Sequence, residues 1–146
     1  MIVMKFGGVS LSTAEGIFRA CQIVKTYFEK EKEIVLVVSA MKGVTDKLFE
    51  VTELLKEKKI QSALNKIDLL KDTHLQTLRQ VNNQPQSVKV ESELINLFSR
   101  LENFVRNVSK KELTPARVDY IVSFGERFSC QIVAMPLKKV VSRLFL

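Results

Sequence analysis

MIVMKFGGVS, Met1 to Ser10, sets a short apolar run against a lysine, an aromatic and two glycines. Ile2 to Phe6 shows no regular alternation, the pattern of a strand covered on both faces. Gly7 and Gly8 end it. Beyond them Ser12-Thr13-Ala14-Glu15 has the form of a capping box, with Ser12 as the cap and Glu15 reaching back. Ile17, Cys21, Val24 and Phe28 then recur at helical spacing, so a helix is expected from about Thr13 to Lys30. The unit is strand, glycine loop, helix.

The same order repeats. Glu33-Ile34-Val35-Leu36-Val37-Val38 is β-branched, apolar and short, the clearest strand in the chain. It leads through Ser39-Ala40-Met41-Lys42-Gly43-Val44-Thr45-Asp46, rich in small residues, into a helix with Asp46 as its expected cap and Leu48, Val51 and Leu55 on one face. Strand, helix, strand implies two adjacent parallel strands joined by a crossover. In such α/β sheets ligands gather beyond the carboxyl ends of the strands, where both glycine loops fall.

From about Gln61 to Lys111 the pattern is helical and free of chemistry. Ile67, Leu70, His74, Leu78 and Val81 form one stripe, and Leu94, Phe98, Leu101, Val105 and Val108 another, with the turn signal Asn82-Asn83-Gln84-Pro85-Gln86 between them. The reading is a helical hairpin, with the single histidine, His74, satisfied and partly buried on its stripe. Thr114-Pro115 is a cap followed by proline at the first helical position. A short helix runs to Ser123-Phe124-Gly125-Glu126, and a further one carries Phe128, Ile132 and Val133 until Pro136 ends it. Only two strands are secure, too few for a buried sheet. Val140 to Leu146 is the one candidate for a third.

Composition bounds the function classes. With 46% hydrophobic and 27% charged residues the chain has enough apolar material for one globular core. The net charge of +7 favours anionic partners, but the lysines are interleaved with Glu and Asp on helical segments and form no basic stripe with aromatics. No nucleic-acid partner is expected. Cys21 and Cys130 lie far apart among apolar residues, which reads as two buried reduced thiols. No run approaches the roughly 20 apolar residues of a membrane span, so no membrane partner and a cytoplasmic location are expected.

Each loop is ambiguous alone. Glycines at a strand end let backbone N–H groups approach an oxyanion, and Lys5 adds a full charge, yet Gly-Gly after a strand is more often a tight turn. Neither the G-x-x-x-x-G-K-[ST] nor the G-x-G-x-x-G spacing is present. Ser39 to Asp46 reads equally as a helix cap or as a site wall. Glu126 at a helix start either complements the dipole or binds an ammonium group.

Together and in order, Val3 to Leu11, Val37 to Leu48 and Val122 to Ser129 resemble the aspartokinases of the amino-acid kinase superfamily, a likeness running from Met1 to about Pro136. The resemblance implies an α/β fold, the N-terminal part of a three-layer αβα sandwich with parallel strands and a long helical-hairpin insertion. It implies transfer of the γ-phosphoryl of ATP, with Mg²⁺, to the side-chain carboxylate of L-aspartate, the first step toward lysine, threonine and methionine. Lys5 would be catalytic, stabilising the phosphoryl group in flight. Lys5, Phe6, Gly7, Gly8, Ser10 and Ser39 would face the nucleotide, and Ser39, Thr45 and Glu126 would hold aspartate, Glu126 by the α-amino group. No residue is assigned as a metal ligand.

Two departures accompany the likeness. Val9 stands where the family has a threonine or serine. The second is extent: residues 1–146 are expected to form a partial kinase domain without the nucleotide-binding half or the ACT domains, inactive alone. The unfinished sheet points to a homo-oligomer or a complementing kinase half. The alternative is a degenerate, non-catalytic half serving regulation or assembly.

Overall fold

A computed structural model describes residues 1–30, 33–81, 87–109 and 112–142. Strand β1 (Ile2–Phe6) leads into helix α1 (Ala14–Phe28), then β2 (Ile34–Val38) and α2 (Val44–Lys56). The hairpin α3 (Ile60–Val81) and α4 (Ser87–Val108) follows, and α5 (Pro115–Val122) and α6 (Phe124–Ser142) close the described chain. The strands pair in parallel, Ile2 opposite Ile34 and Phe6 opposite Val38, so both carboxyl ends stand side by side. The helix-rich α/β class read from the sequence is the one observed.

Several local expectations shift. The cap of α1 is Thr13, whose Oγ1 accepts from Gly16 N–H at 3.1 Å, while Ser12 Oγ donates to Val9 O at 2.7 Å and Glu15 pairs with Arg19 at 2.6 Å. Adjacent hydroxyls compete for the cap, and Ser12's is engaged with Val9 O; the loop passes so close to α1 that a Cβ on Gly16 would lie 2.3 Å from Ser10 O. In α2 the cap is Gly43, left-handed at φ 77°, and Asp46 stands in the first turn, where it complements the dipole without capping. Thr114 and Pro115 open α5 as expected. The turn at Asn82 to Gln86 lies outside the described residues.

Four corrections are larger. The strands are not covered on both faces: Ile2, Met4, Phe6, Ile34, Leu36 and Val38 are half-buried, but Val3, Val35 and Val37 are exposed. Pro136 does not end α6, which continues through it to Ser142. The proline removes one N–H and crowds one carbonyl, a cost of about 3 kcal/mol, which the burial of Ile132, Val133 and Met135 around it offsets. Val140 to Ser142 therefore belong to a helix, not a third strand, and 143–146 lie outside the described residues. Cys21 is buried, its thiol pushed up to about 11 by that burial, but Cys130 is exposed.

The core centres on α6, which touches every other helix and β2. Phe128 stacks on Phe98 of α4 with ring centroids 3.8 Å apart, and His74 of α3 stands edge-on to both, at 5.5 Å from Phe98 and 5.2 Å from Phe128. Phe98, Phe128 and His74 are all fully buried. Lys71 to Glu102 at 3.1 Å bridges the hairpin's helices, a partly exposed pair of small weight beside the apolar seam.

His74 is more buried and less satisfied than its pattern implies. Its Nδ1 lies 2.7 Å from Leu70 O, and a carbonyl only accepts, so Nδ1 carries the hydrogen. Among the described residues Nε2 is then a buried acceptor without a donor. Burial holds the imidazole below its ordinary pKa, aided by the Lys47 charge and opposed by the Leu70 hydrogen bond. The unfolded histidine takes a proton near its ordinary pKa of about 6.5, the folded one only at lower pH. The unfolded state thus binds more protons below about pH 6.5, and stability falls from there down to the folded pKa. His74→Leu is expected to flatten this component in urea denaturations between about pH 7 and about pH 5. Equal acid slopes in both proteins would contradict it.

Candidate active site

The register of the sheet places the first two loops together. Ser39 N–H donates to Phe6 O at 3.0 Å, extending the parallel ladder one residue past β2. Lys42 N–H then donates to Gly8 O at 3.1 Å, tying the second loop across the first. Gly8 permits this approach, since a Cβ there would lie 2.6 Å from Ala40 O and 3.3 Å from Lys42 N. Gly7 has open space around it. The two glycines, alike in sequence, do different things.

The third motif arrives from the helical side. Ser123 caps the end of α5 and α6 begins at once with Phe124. Gly125 faces the second loop and α2: an added Cβ would meet Ala40 Cβ at 2.8 Å, Leu48 Cδ1 at 3.4 Å and Val44 Cγ1 at 3.5 Å. That closeness brings Glu126 Oε1 to the Ala40 N–H, 3.3 Å away and 86 residues distant in sequence. The carboxylate also sits in the first turn of α6, where the helix dipole favours negative charge. Its field reaches Cys130 one turn on, whose thiol, partly shielded although the residue is exposed, is raised first by that shielding and then by the carboxylate.

The remaining predicted residues are less closely engaged. Ser39 is half-buried at the loop junction, and Thr45 is half-buried in the first turn of α2, next to the Val44 that Gly125 meets. Phe6 is half-buried, while Ser10 is exposed; both line an open cavity of about 290 Å³ beside Val9 and Arg19. Lys5 is exposed on the open face of the sheet, opposite Val37. Among the described residues no hydrogen bond or ion pair joins Lys5 or Ser10 to Glu126. The structure thus gathers Gly8, Ser39 and Glu126 at one junction, with Thr45 at its edge, and leaves Lys5 apart.

Ala40, Gly43 and Gly125 escaped sequence reasoning as functional positions. Ala40 contributes a backbone N–H, and its side chain's smallness was the only signal. Gly43 is legible as a left-handed residue only from its φ, and Gly125 from its neighbours in space. Among the described residues no group of three His, Cys, Asp or Glu side chains is placed to hold a metal ion. No described helix is long and apolar enough to cross a membrane.

Residues 1–141 match the family model described as "Amino acid kinase family". Aspartokinase 1, chloroplastic, of Arabidopsis thaliana is 30% identical, the match covering 94% of this chain and 23% of that protein. Aspartokinase of Chlamydia trachomatis serovar D is 30% identical over 97% of this chain and 30% of its own length. The crystal structure of E. coli aspartokinase III in complex with aspartate and ADP superposes with a TM-score of 0.72 at 22% identity, over 91% of this chain and 28% of that one. The chain thus spans between 23% and 30% of the length of these relatives. Its strand-loop-helix repeat, its converging glycine loops and a family match over nearly its whole length agree, and the chain belongs to the amino acid kinase family.

Proposed function

We propose that these residues form the aspartate-side part of an aspartate kinase site, in a domain whose nucleotide-binding half and ACT domains lie outside them. The reaction transfers the γ-phosphoryl of ATP: a side-chain carboxylate oxygen of aspartate bonds to the phosphorus as the bond to the β-phosphate oxygen breaks, releasing ADP. Such transfer depends on positioning and charge neutralisation rather than on covalent help from the protein. One observation carries the reading: Glu126 is docked on Ala40 N–H at the junction of all three motif segments. An exposed carboxylate held at one oxygen has the other free for an ammonium group.

In this reading Glu126 takes the α-amino group, and Ser39 and Thr45 line the pocket for aspartate. Gly7, with open space beside it, and Gly8, Phe6 and Ser10 face the nucleotide phosphates. Lys5, a cation on the open side of the sheet, neutralises the group in transfer. Mg²⁺ enters by family likeness alone; the residues here do not make a site for it, and no step is drawn through it. A cytoplasmic setting and a place at the head of lysine, threonine and methionine formation belong to the same reading.

The test has two arms. The purified chain is assayed for Mg-ATP-dependent acyl phosphate trapped with hydroxylamine, and none is expected from these residues alone; robust turnover would overturn the partial-site reading. Aspartate binding is measured by calorimetry, and Glu126→Ala is expected to weaken it by roughly ten- to a hundredfold, the worth of one charged hydrogen bond. An unchanged Kd would remove Glu126 from the pocket.

One observation favours a second reading, a non-catalytic half that assembles with another kinase chain or with itself. Val3, Val35 and Val37 leave an apolar sheet face open. A stable complex with a full-length kinase whose mixture yields no added hydroxamate supports that reading, and a chain that stays monomeric and unbound counts against it.

A further inference from the structure

Among the described residues the Glu126 side chain has one hydrogen bond, to Ala40 N–H at 3.3 Å, near the long end of the normal range. An exposed glutamate so lightly held keeps its place only if its helix does. The restraint lies on the other side of α6. Phe128, two residues on, points about 200° around the helix from Glu126, into the hairpin. Its ring is stacked on Phe98 at 3.8 Å with only 12° between planes, and His74 is edge-on to both.

A leucine at position 74 would fill this seam without stranding an acceptor. The imidazole leaves Nε2 buried and, among the described residues, unpartnered, which costs stability relative to an apolar side chain. What it supplies in return is direction. Its Nδ1–H bonds to Leu70 O at 2.7 Å, which sets the ring's orientation, and the ring flanks the stack at a set angle, 65° to Phe98 and 66° to Phe128. Leucine has no such preferred geometry against stacked rings.

We propose that His74 is a positioning residue for Glu126: its anchored imidazole buttresses the side of the Phe98–Phe128 stack, seats the first turns of α6, and so keeps the Glu126 carboxylate at the Ala40 N–H. The α3–α4 hairpin is then a brace for the site. The link from Glu126 to aspartate rests on the function proposed above, but the link from His74 to the Glu126–Ala40 bond does not.

Amide hydrogen exchange of the 146-residue chain tests the second link directly, with Ser39 and Lys42 N–H as neighbours bonded independently of Glu126. Glu126→Ala sets the Ala40 exchange rate when the bond is absent. His74→Ala is expected to raise Ala40 exchange toward that rate, roughly tenfold, the equivalent of one net hydrogen bond, with Ser39 and Lys42 changed little. His74→Phe, which keeps an aromatic ring beside the stack but loses the Leu70 anchor, is expected to restore only part of the protection. Should His74→Ala fail to fold, Phe98→Leu loosens the same stack more gently and is expected to act alike. Unchanged Ala40 exchange in a folded variant overturns the proposal, as does an equal rise at Ala40, Ser39 and Lys42, which would mark general loosening. Where the parent chain binds aspartate, the Kd should weaken with His74→Ala and recover in part with His74→Phe. A parent chain that binds none removes the functional reading and leaves the exchange result to decide this one.

Discussion

Phe128→Ala is expected to lower the unfolding free energy by about 3–5 kcal/mol, the range for emptying a large aromatic site in a packed core. The ring is fully buried and lies between α3, α4 and α6, against Phe98, His74 and Phe124. Its neighbours are held by three different helices, so relaxation into the cavity would require two helices to move together, which places the cost at the upper part of the range. Phe18, 53% exposed on α1, is the natural control, and its alanine variant is expected within about 0.5 kcal/mol of the parent protein. Urea denaturation of both variants decides the matter. A loss below about 1 kcal/mol at Phe128 would mean that the aromatic seam is not the centre of the core.

That seam is half legible in the sequence. The stripe carrying Phe98 and the face carrying Phe128 follow from helical spacing, because an amphipathic period records which side is buried. Which stripe meets which does not follow, since nothing local encodes the approach of α4 to α6. The same limit hides the Glu126–Ala40 bond: three motifs in order imply one site, but with the two residues 86 positions apart the sequence carries no sign of which amide would meet the carboxylate. The strands fail differently. Val, Ile and Leu signal extended backbone and burial with the same residues, so Val3, Val35 and Val37 read as covered when they are open. At Pro136 the local rule gives the cost correctly but not the outcome, because the packing of Ile132, Val133 and Met135 outweighs one lost hydrogen bond.

The sharpest separation of structure from chemistry comes from the two glycines of the opening loop. Gly8→Ala is expected to destabilise the chain by about 1–3 kcal/mol, the usual cost of forcing an atom into filled space. The obstacle is the Ala40 carbonyl, 2.6 Å from the new Cβ, and backbone cannot step aside as a side-chain tip does. Relief requires the first loop to lift off the second, which breaks the Lys42 N–H bond to Gly8 O and should appear as faster exchange at Lys42. Gly7→Ala meets nothing within 4 Å, so its stability is expected to stay within about 0.5 kcal/mol of the parent. If Gly7 nevertheless matters, it must be to something that approaches from outside, as a phosphate oxygen would approach a bare backbone N–H. Titration with Mg-ADP while following the amide resonance of residue 7 is then expected to show weaker binding in Gly7→Ala at unchanged thermal stability. A Gly7→Ala variant that loses as much stability as Gly8→Ala would make both glycines parts of a tight turn, and the phosphate-facing role would lose its structural basis.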